Sequence, residues 1–292
     1  MLSHARRPEW LKVNPLDPTI VGGMSRLMRG LKLCTVCESA KCPNRTECFA
    51  NGTATFMILG DICTRNCTFC AVKKGKPLAP DPQEPEHIVA AVKKLGLQYV
   101  VITSVTRDDL ADGGAAHFAQ TIRAIDKYDP NTMVEVLIPD FKGSLSALQT
   151  VLDASPAVLN HNIETVPRLY PEVRPRADYR RSLKLLQQSQ RLNNRILTKS
   201  GFMLGLGEVR QEVIKLMADL RQAGCDLLTI GQYLSPSFRH HHVVRFVAPE
   251  EFEEYGNIGK QLGFRHVASG PLVRSSFQAA ETYRQYNHHR RQ

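Results

Sequence analysis

Seven of the eight cysteines fall between Cys34 and Cys70, and three of them read Cys63-x3-Cys67-x2-Cys70. They follow a short apolar run, Phe56-Met57-Ile58-Leu59-Gly60. A strand ending in a loop with three closely spaced thiolates can hold three irons of a cubane iron–sulfur cluster, leaving the fourth open to an outside ligand. An open iron lets a cluster act on a bound molecule as well as carry electrons. Zinc is the competing reading, but zinc sites pair two Cys-x2-Cys-like knuckles, and a triplet with a three-residue gap does not form one. The earlier group, Cys34-x2-Cys37-x4-Cys42-x5-Cys48, is less selective, because soft sulfur ligands suit zinc or a second cluster equally. Short cysteine spacings argue for ligation rather than disulfides, and so for an intracellular protein.

Other residues invite chemistry less specifically. Asn160, Asn162 and Glu164 alternate, so they share one strand face. A carboxylate there either accepts hydrogen bonds from the ribose of a nucleotide cofactor or ties strand ends together. Lys199 and the Arg174/Arg176 pair either meet a cofactor carboxylate or a docked partner, or lie on a solvated surface. Gly205-x-Gly207-Glu208 is too short for a dinucleotide fingerprint. His240-His241-His242 and His288-His289 read as solvated loop and tail. Between Arg168 and Lys199 nine Lys/Arg face only Glu172 and Asp178, within a chain of net charge +10. Such a stretch attracts something acidic or is simply a solvated helix face.

The elements that position these residues alternate. Strand-length apolar runs occur at 56–60, 99–104, 133–138, 157–163, 197–204 and 227–231, with helical patterns near 84–95, 114–127, 144–153, 178–193 and 208–223. Ile88, Val89, Val92 and Leu95 recur on one helix face, and Gly224 is a C-cap for the last of these helices. A short helix is expected over Met24–Leu33. Six βα units point to parallel strands, in an open sheet or a barrel. In barrels the functional groups lie at the C-terminal ends of strands. The cysteine triplet, Thr103-Ser104, Asn160 to Glu164, Thr198-Lys199 and Gln232 all follow expected strands. A hydrophobic content of 42% supports a real core. No apolar run approaches the roughly 20 residues of a membrane span, and no signal core precedes Trp10, so a cytoplasmic protein is expected.

The triplet, with Phe69 before its last cysteine, resembles the signature of the radical S-adenosylmethionine superfamily. The resemblance implies that Cys63, Cys67 and Cys70 hold a [4Fe–4S] cluster whose open iron is chelated by S-adenosyl-L-methionine; Asn162, Glu164 and Lys199, from their own chemistry, are the expected contacts to that cofactor. Asp112-Gly113-Gly114 either lies near its methionine end or forms a plain turn. The chain is similar more specifically to lipoyl synthases. The likeness runs through Arg7-Pro8-Glu9-Trp10-Leu11, Thr35-Val36-Cys37-Glu38-Ser39-Ala40-Lys41-Cys42-Pro43-Asn44, Gly52-Thr53-Ala54-Thr55, Thr103 to Leu110, Asn160 to Thr165, Thr198 to Gly201, Gly231 to Leu234 and Val273-Arg274-Ser275-Ser276.

That likeness implies α/β architecture, a partial (β/α)6 TIM-like barrel with N- and C-terminal extensions. Residues 1–50 would carry the auxiliary-cluster cysteines, 51–265 the core, and 266–292 a serine cluster ligand. It implies a second [4Fe–4S] cluster on Cys37, Cys42 and Cys48, with Ser275 as fourth ligand, and insertion of two sulfur atoms at C6 and C8 of a protein-bound octanoyl-lysine. The implied partners are an octanoylated lipoyl carrier, such as the E2 subunit of a 2-oxoacid dehydrogenase or the glycine cleavage H protein, and a ferredoxin- or flavodoxin-type electron donor, with no nucleic acid and no membrane. The sequence departs from the family at Cys34, read as a buried or spare thiol, and at Phe277, where the family has tyrosine; Cys225 reads as core.

Overall fold

Eight strands form one sheet in the order β1-β2-β5-β6-β7-β8-β9-β10. They are β1 (Cys34–Thr35), β2 (Thr55–Ile58), β5 (Tyr99–Ser104), β6 (Met133–Leu137), β7 (Val158–Asn160), β8 (Leu197–Leu204), β9 (Leu227–Gln232) and β10 (His266–Gly270). β3 (Ile62–Cys63) and β4 (Lys73–Lys74) form a separate parallel pair. This computed structural model describes residues 7–13, 15–50, 54–276, 279–281 and 283. From β2 to β10 every pairing in the main sheet is parallel, while β1 runs antiparallel along β2. No pairing joins β1 to β10 among the described residues, so the sheet is a barrel wall left open between those edges.

Parallel neighbours need crossovers, and a helix of eight residues or more lies in each, with the short α7 (Tyr170–Val173) also between β7 and β8. In chain order the longer helices are α4 (Glu84–Leu95), α5 (Ala115–Tyr128), α6 (Leu145–Leu152), α8 (Tyr179–Leu192), α9 (Arg210–Gln222) and α10 (Pro249–Gln261). Gly96 ends α4 at φ +62°, a left-handed position that suits glycine. The Asp178 side chain accepts from the Arg181 amide to start α8. All residues of β2 and β9 are buried, as expected of strands covered on both faces. One apolar cluster joins α4, α5 and α6 to β2, β5 and β6; a second joins α9 and α10 to β8 and β9.

Most expected elements are present within a residue or two. The first helix differs: α1 spans Pro18–Gly30, because Asp17 caps the Thr19 and Ile20 amides and Pro18 takes the first turn. β10 pairs with β9 from His266 to Gly270, so these residues continue the barrel wall, and the chain leaves it only at Pro271. The short helices α2 (Val36–Ser39) and α3 (Arg45–Ala50) precede β2 and carry Cys37 and Cys48.

Candidate functional site

The cysteine triplet begins in β3, just beyond a clamped turn. Leu59 has φ +68°, costly for a residue with a side chain. Its amide donates to the buried Glu84 carboxylate at 2.8 Å, and its carbonyl accepts from Arg107 Nη1 at 3.1 Å. Gly114 lies so close that an added Cβ would fall 2.2 Å from Leu59 Cδ1. The turn is over-determined, which fixes where the following loop starts.

The loop itself is tied on several sides. β3 and β4 bracket it, and the Gly75 amide donates to the Cys63 carbonyl. Arg65 is 5% exposed; it binds both oxygens of Asp108 at 2.8 and 2.9 Å and one of Asp140 at 2.6 Å. Burial raises the Asp140 carboxyl, but the Arg65 guanidinium outweighs it and holds the group down to about 2. Arg176 donates to the Thr64 carbonyl, the Thr68 amide donates to Val173, and the His241 amide donates to Thr68.

A cavity of about 740 Å³ opens at this loop, and it is lined by Cys63, Cys67 and Cys70 together with Cys37 and Cys42. Both cysteine groups therefore face one space. A smaller cavity is lined by Cys37, Cys42, Cys48, Thr55, Arg274 and Ser276. All eight cysteines are free thiols. Burial pushes Cys70 up to about 12, with Cys67 and Cys63 adding repulsion. Burial likewise raises Cys37 to about 11 and Cys48 to about 12, Cys42 contributing to both. Thiols that raise one another are neighbours, and buried thiolates without a cation are costly, so each set fits a cationic cluster. Among the described residues no three His, Cys, Asp or Glu converge closely enough for one metal ion. A cubane binds each cysteine on a different iron and so spreads its ligands wider.

Asn162 and Glu164 line the same cavity. Glu164, at φ +66°, accepts from Asn162 Nδ2 at 3.1 Å. Burial raises its carboxyl, while Arg174 and Asn162 draw it back. Arg174 Nη1 donates to the carbonyls of Asn162 and Ile163 and to the Tyr170 hydroxyl, and its buried Nε–H has no partner among the described residues. A buried unpaired donor facing a cavity that also holds a carboxylate is ready for a zwitterionic ligand.

Lys199 is elsewhere. Its ammonium binds Glu135 at 2.9 and 3.2 Å, both residues are 1% exposed, and Lys199 is not among the cavity-lining residues. Glu135 also accepts from Tyr99 and Asn160. A cofactor contact by Lys199 is therefore set aside: a buried carboxylate already satisfies its charge.

The two serines after Arg274 part company. Ser275 Oγ accepts from Asn160 at 2.8 Å and donates to Asn162 at 3.1 Å. Ser276 Oγ accepts from Thr55 at 2.8 Å and lies among the three N-terminal cysteines. Asn44, between Cys42 and Cys48, donates to the Leu272 carbonyl, so the two extensions are stitched together.

Of the remaining candidates, Cys225 is fully buried and donates to the Leu227 carbonyl, as a core residue does. Cys34, half-buried in β1, lines neither cavity. Asp112 accepts from the Gly114 and Ala116 amides, a turn into α5. His241 bridges loops rather than meeting solvent, with Nε2 near the Leu206 carbonyl and Nδ1 near Glu172. Phe277, the His288-His289 pair and Gly52-Thr53 lie outside the described residues. Arg65 and Asp140 were not singled out from the sequence. The signal available was only an arginine inside the triplet; its acid partners are 43 and 75 positions away.

Residues 57–231 match the Radical SAM superfamily. The chain is 58% identical to the lipoyl synthase of Caldanaerobacter subterraneus subsp. tengcongensis over 94% of its own length and 96% of that protein. It is 56% identical to that of Rubrobacter xylanophilus over 94% and 86%. It is 55% identical to that of Acidithiobacillus ferrooxidans over 95% and 88%. Among solved structures it shares a fold with HydG, a maturase of the [FeFe]-hydrogenase, at TM-score 0.56 and 12% identity, covering 95% of this chain and 65% of that one. Streptococcus suis SuiB bound to S-adenosylmethionine gives TM-score 0.56 at 11% identity over 86% and 60%.

Proposed function

The chain belongs to the lipoyl synthase family of the radical S-adenosylmethionine superfamily, and we propose that the cavity of about 740 Å³ is where two sulfur atoms enter C6 and C8 of a protein-bound octanoyl-lysine. It is an enzyme, a sulfurtransferase, that uses an iron–sulfur cluster and S-adenosylmethionine. The observation that carries the reading of the site is the opening of both cysteine groups onto one space. An alkyl chain in that space has radical-generating chemistry on one side and a sulfide source on the other.

Cys63, Cys67 and Cys70 hold the cluster that binds S-adenosylmethionine. That cluster and its bound cofactor supply a hydrogen-abstracting radical. Asn162 and Glu164 receive polar groups of the cofactor, and Arg174 offers its free Nε–H to the carboxylate. Arg65, locked to Asp108 and Asp140, fixes the loop whose cysteines would hold that cluster. The apolar lining, including Met57, Leu137, Phe202 and Met203, receives the alkyl chain and keeps water from the reacting carbon.

Cys37, Cys42 and Cys48 hold the second, auxiliary cluster. Its oxygen ligand is better sought at Ser276 than at Ser275. Ser276 shares a cavity with all three cysteines, whereas both Oγ interactions of Ser275 are taken by Asn160 and Asn162. A hydroxyl is a harder iron ligand than thiolate and binds it less tightly, which suits a cluster that gives up its sulfide. Of the three divisions proposed for the chain, the C-terminal one acts from Pro271 onward, after β10. The carrier is an E2 lipoyl domain or the H protein, and the electron donor is a small ferredoxin or flavodoxin. Among the described residues no helix is long and apolar enough to cross a membrane; a cytoplasmic location agrees with the free thiols.

The test is anaerobic reconstitution followed by incubation with S-adenosylmethionine, dithionite and an octanoyl-lysine peptide. Mass spectrometry should show the peptide gaining two sulfurs and losing two hydrogens. Deoxyadenosine without sulfur insertion, from protein holding both clusters, would overturn the substrate assignment.

A further inference from the structure

The large cavity has a mouth of one charge. Apart from Arg174 and Arg274, which are half-buried and donate to backbone carbonyls, its exposed or half-exposed lining cations are Arg7, Lys41, Arg45 and Lys74. Its only carboxylates, Asp140 and Glu164, are both engaged: Asp140 is 1% exposed and bound by Arg65 and Arg181, and Glu164 lies between Asn162 and Arg174. No acid therefore neutralises the rim.

Three of the four cations are also placed by the cysteine loops themselves. Lys41 stands at φ +53° directly before Cys42, its amide donating to Glu38, and Arg45 Nε donates to the Cys42 carbonyl. Lys74 pairs with Cys63 across the small β3–β4 sheet. Lys41 and Lys74 make no side-chain ion pair or hydrogen bond among the described residues. Each cysteine loop thus brings to one cavity its thiols and an exposed lysine with no side-chain partner among the described residues.

The basic stretch Arg168–Lys199 does not serve this entrance. Lys199 is spent on Glu135, Arg168 on Glu212, Arg181 on Asp140 and Arg176 on the Thr64 carbonyl. Of its nine cations only Arg174 lines the cavity. Arg180, Lys184 and Arg191 lie exposed along α8, outside the wall.

We propose that Arg7, Lys41, Arg45 and Lys74 form the docking ring for an acidic face of the protein domain that presents the octanoyl-lysine. This rests on the proposed function, which requires a protein-borne lysine arm to pass the mouth, so the domain carrying it must rest on the rim. Exposed rim charges steer encounter and orientation more than they add affinity, and salt screens them.

The experiment uses full-length reconstituted protein without reductant, so that nothing turns over. Two ligands are compared: octanoylated H protein, and an octanoyl-lysine tripeptide flanked by neutral residues. For the variant Lys41→Glu/Lys74→Glu, the Kd for H protein should rise about tenfold and its salt dependence flatten. The tripeptide, acetylated and amidated at its ends, has no charge for the rim to meet, so its Kd should move less than about twofold. Arg180→Glu/Lys184→Glu on α8 should leave both unchanged. Iron content and melting temperature of each variant confirm that it is folded. The proposal is overturned if the mouth variant binds H protein like the parent, if both ligands weaken equally, if only the α8 variant weakens binding, or if a short RNA displaces H protein with comparable affinity. Sulfur insertion into the tripeptide by the parent protein is measured in parallel. Its absence would refute the function, whereas its presence with unchanged H-protein binding would refute the docking ring alone.

Discussion

Ser275 and Ser276 stand side by side in sequence yet meet different partners, and that separates their roles. Removing the Ser276 hydroxyl takes away an oxygen from the residue that shares a cavity with Cys37, Cys42 and Cys48. Removing that of Ser275 takes away bonds to Asn160 and Asn162. Ser276→Ala should release auxiliary iron to a chelator about tenfold faster or more, and Ser275→Ala should change that rate far less. Mössbauer spectra of the two variants, with the triplet cluster as internal reference, decide between them; the reverse order would restore Ser275 as ligand. His161 gives a different kind of prediction. It is buried and approached by Ile138 O at 2.8 Å and Ser182 Oγ at 3.0 Å. Burial, helped by the Arg174 charge, lowers it from 6.5 to about 4. Above pH 6.5 both folded and unfolded chains carry it neutral, so it costs nothing. Between pH 6.5 and 4 only the unfolded chain takes up the proton, so stability falls as pH falls, by up to about 3 kcal/mol. Urea midpoints of the metal-free protein across that window should show the slope, and His161→Asn should flatten it.

At the level of elements, β9 and the segment leaving β10 meet at a glycine. A Cβ on Gly231 would lie 2.1 Å from the Val273 carbonyl oxygen, closer than any packed atoms allow. Gly231→Ala should push Val273-Arg274-Ser275-Ser276 off the barrel, leaving the wall folded. The expected signature is loss of about half the iron, that of the auxiliary cluster, with the triplet cluster retained; equal loss of both clusters would argue against a local displacement. This contact was not legible in the sequence, because it joins positions 42 apart. What was legible followed from period and punctuation: β5, β8 and α4 have the bounds the apolar patterns gave. α10 and β10 were missed for a related reason. Gly256 and Gly259 weaken the helical reading, yet Gly259 is what lets α10 approach β10, where an added Cβ would fall 2.7 Å from Val267 Cγ2. β10 itself, His266-Val267-Ala268-Ser269-Gly270, is half-buried throughout and has only one β-branched residue. The cysteines could be read from spacing because ligation imposes spacing. Lys199 misled because its partner Glu135 lies 64 positions away.

The molecule as a whole is a barrel that does not close. Its edges are β1 and β10; Asn44 joins the N-terminal extension to the Leu272 carbonyl, and Thr55 of β2 ties Ser276 to the wall, so the two extensions form a plug beside the cavity. That plug is held by individual side-chain bonds, including those of Ser275 to Asn160 and Asn162, while the wall is fixed by continuous parallel ladders and two apolar clusters. The thiols within the plug are raised to about 11 at Cys37 and about 12 at Cys48. Without metal they remain protonated at neutral pH, and metal binding must displace their protons before it can cross-link the segment. Assembly of the proposed auxiliary cluster and ordering of the plug would then be one event, and local stability should divide along that line. Chelation of the auxiliary iron should speed amide exchange at residues 34–48 and 271–276 by at least about tenfold, with β5 to β8 still protected. Exchange measured by mass spectrometry before and after chelation reads this directly. Uniform acceleration across the barrel would mean that the cluster supports the whole fold. No acceleration in the plug would mean that Asn44 and Thr55 suffice to hold it, and that the cavity stays shaped for substrate even after its sulfur source is consumed.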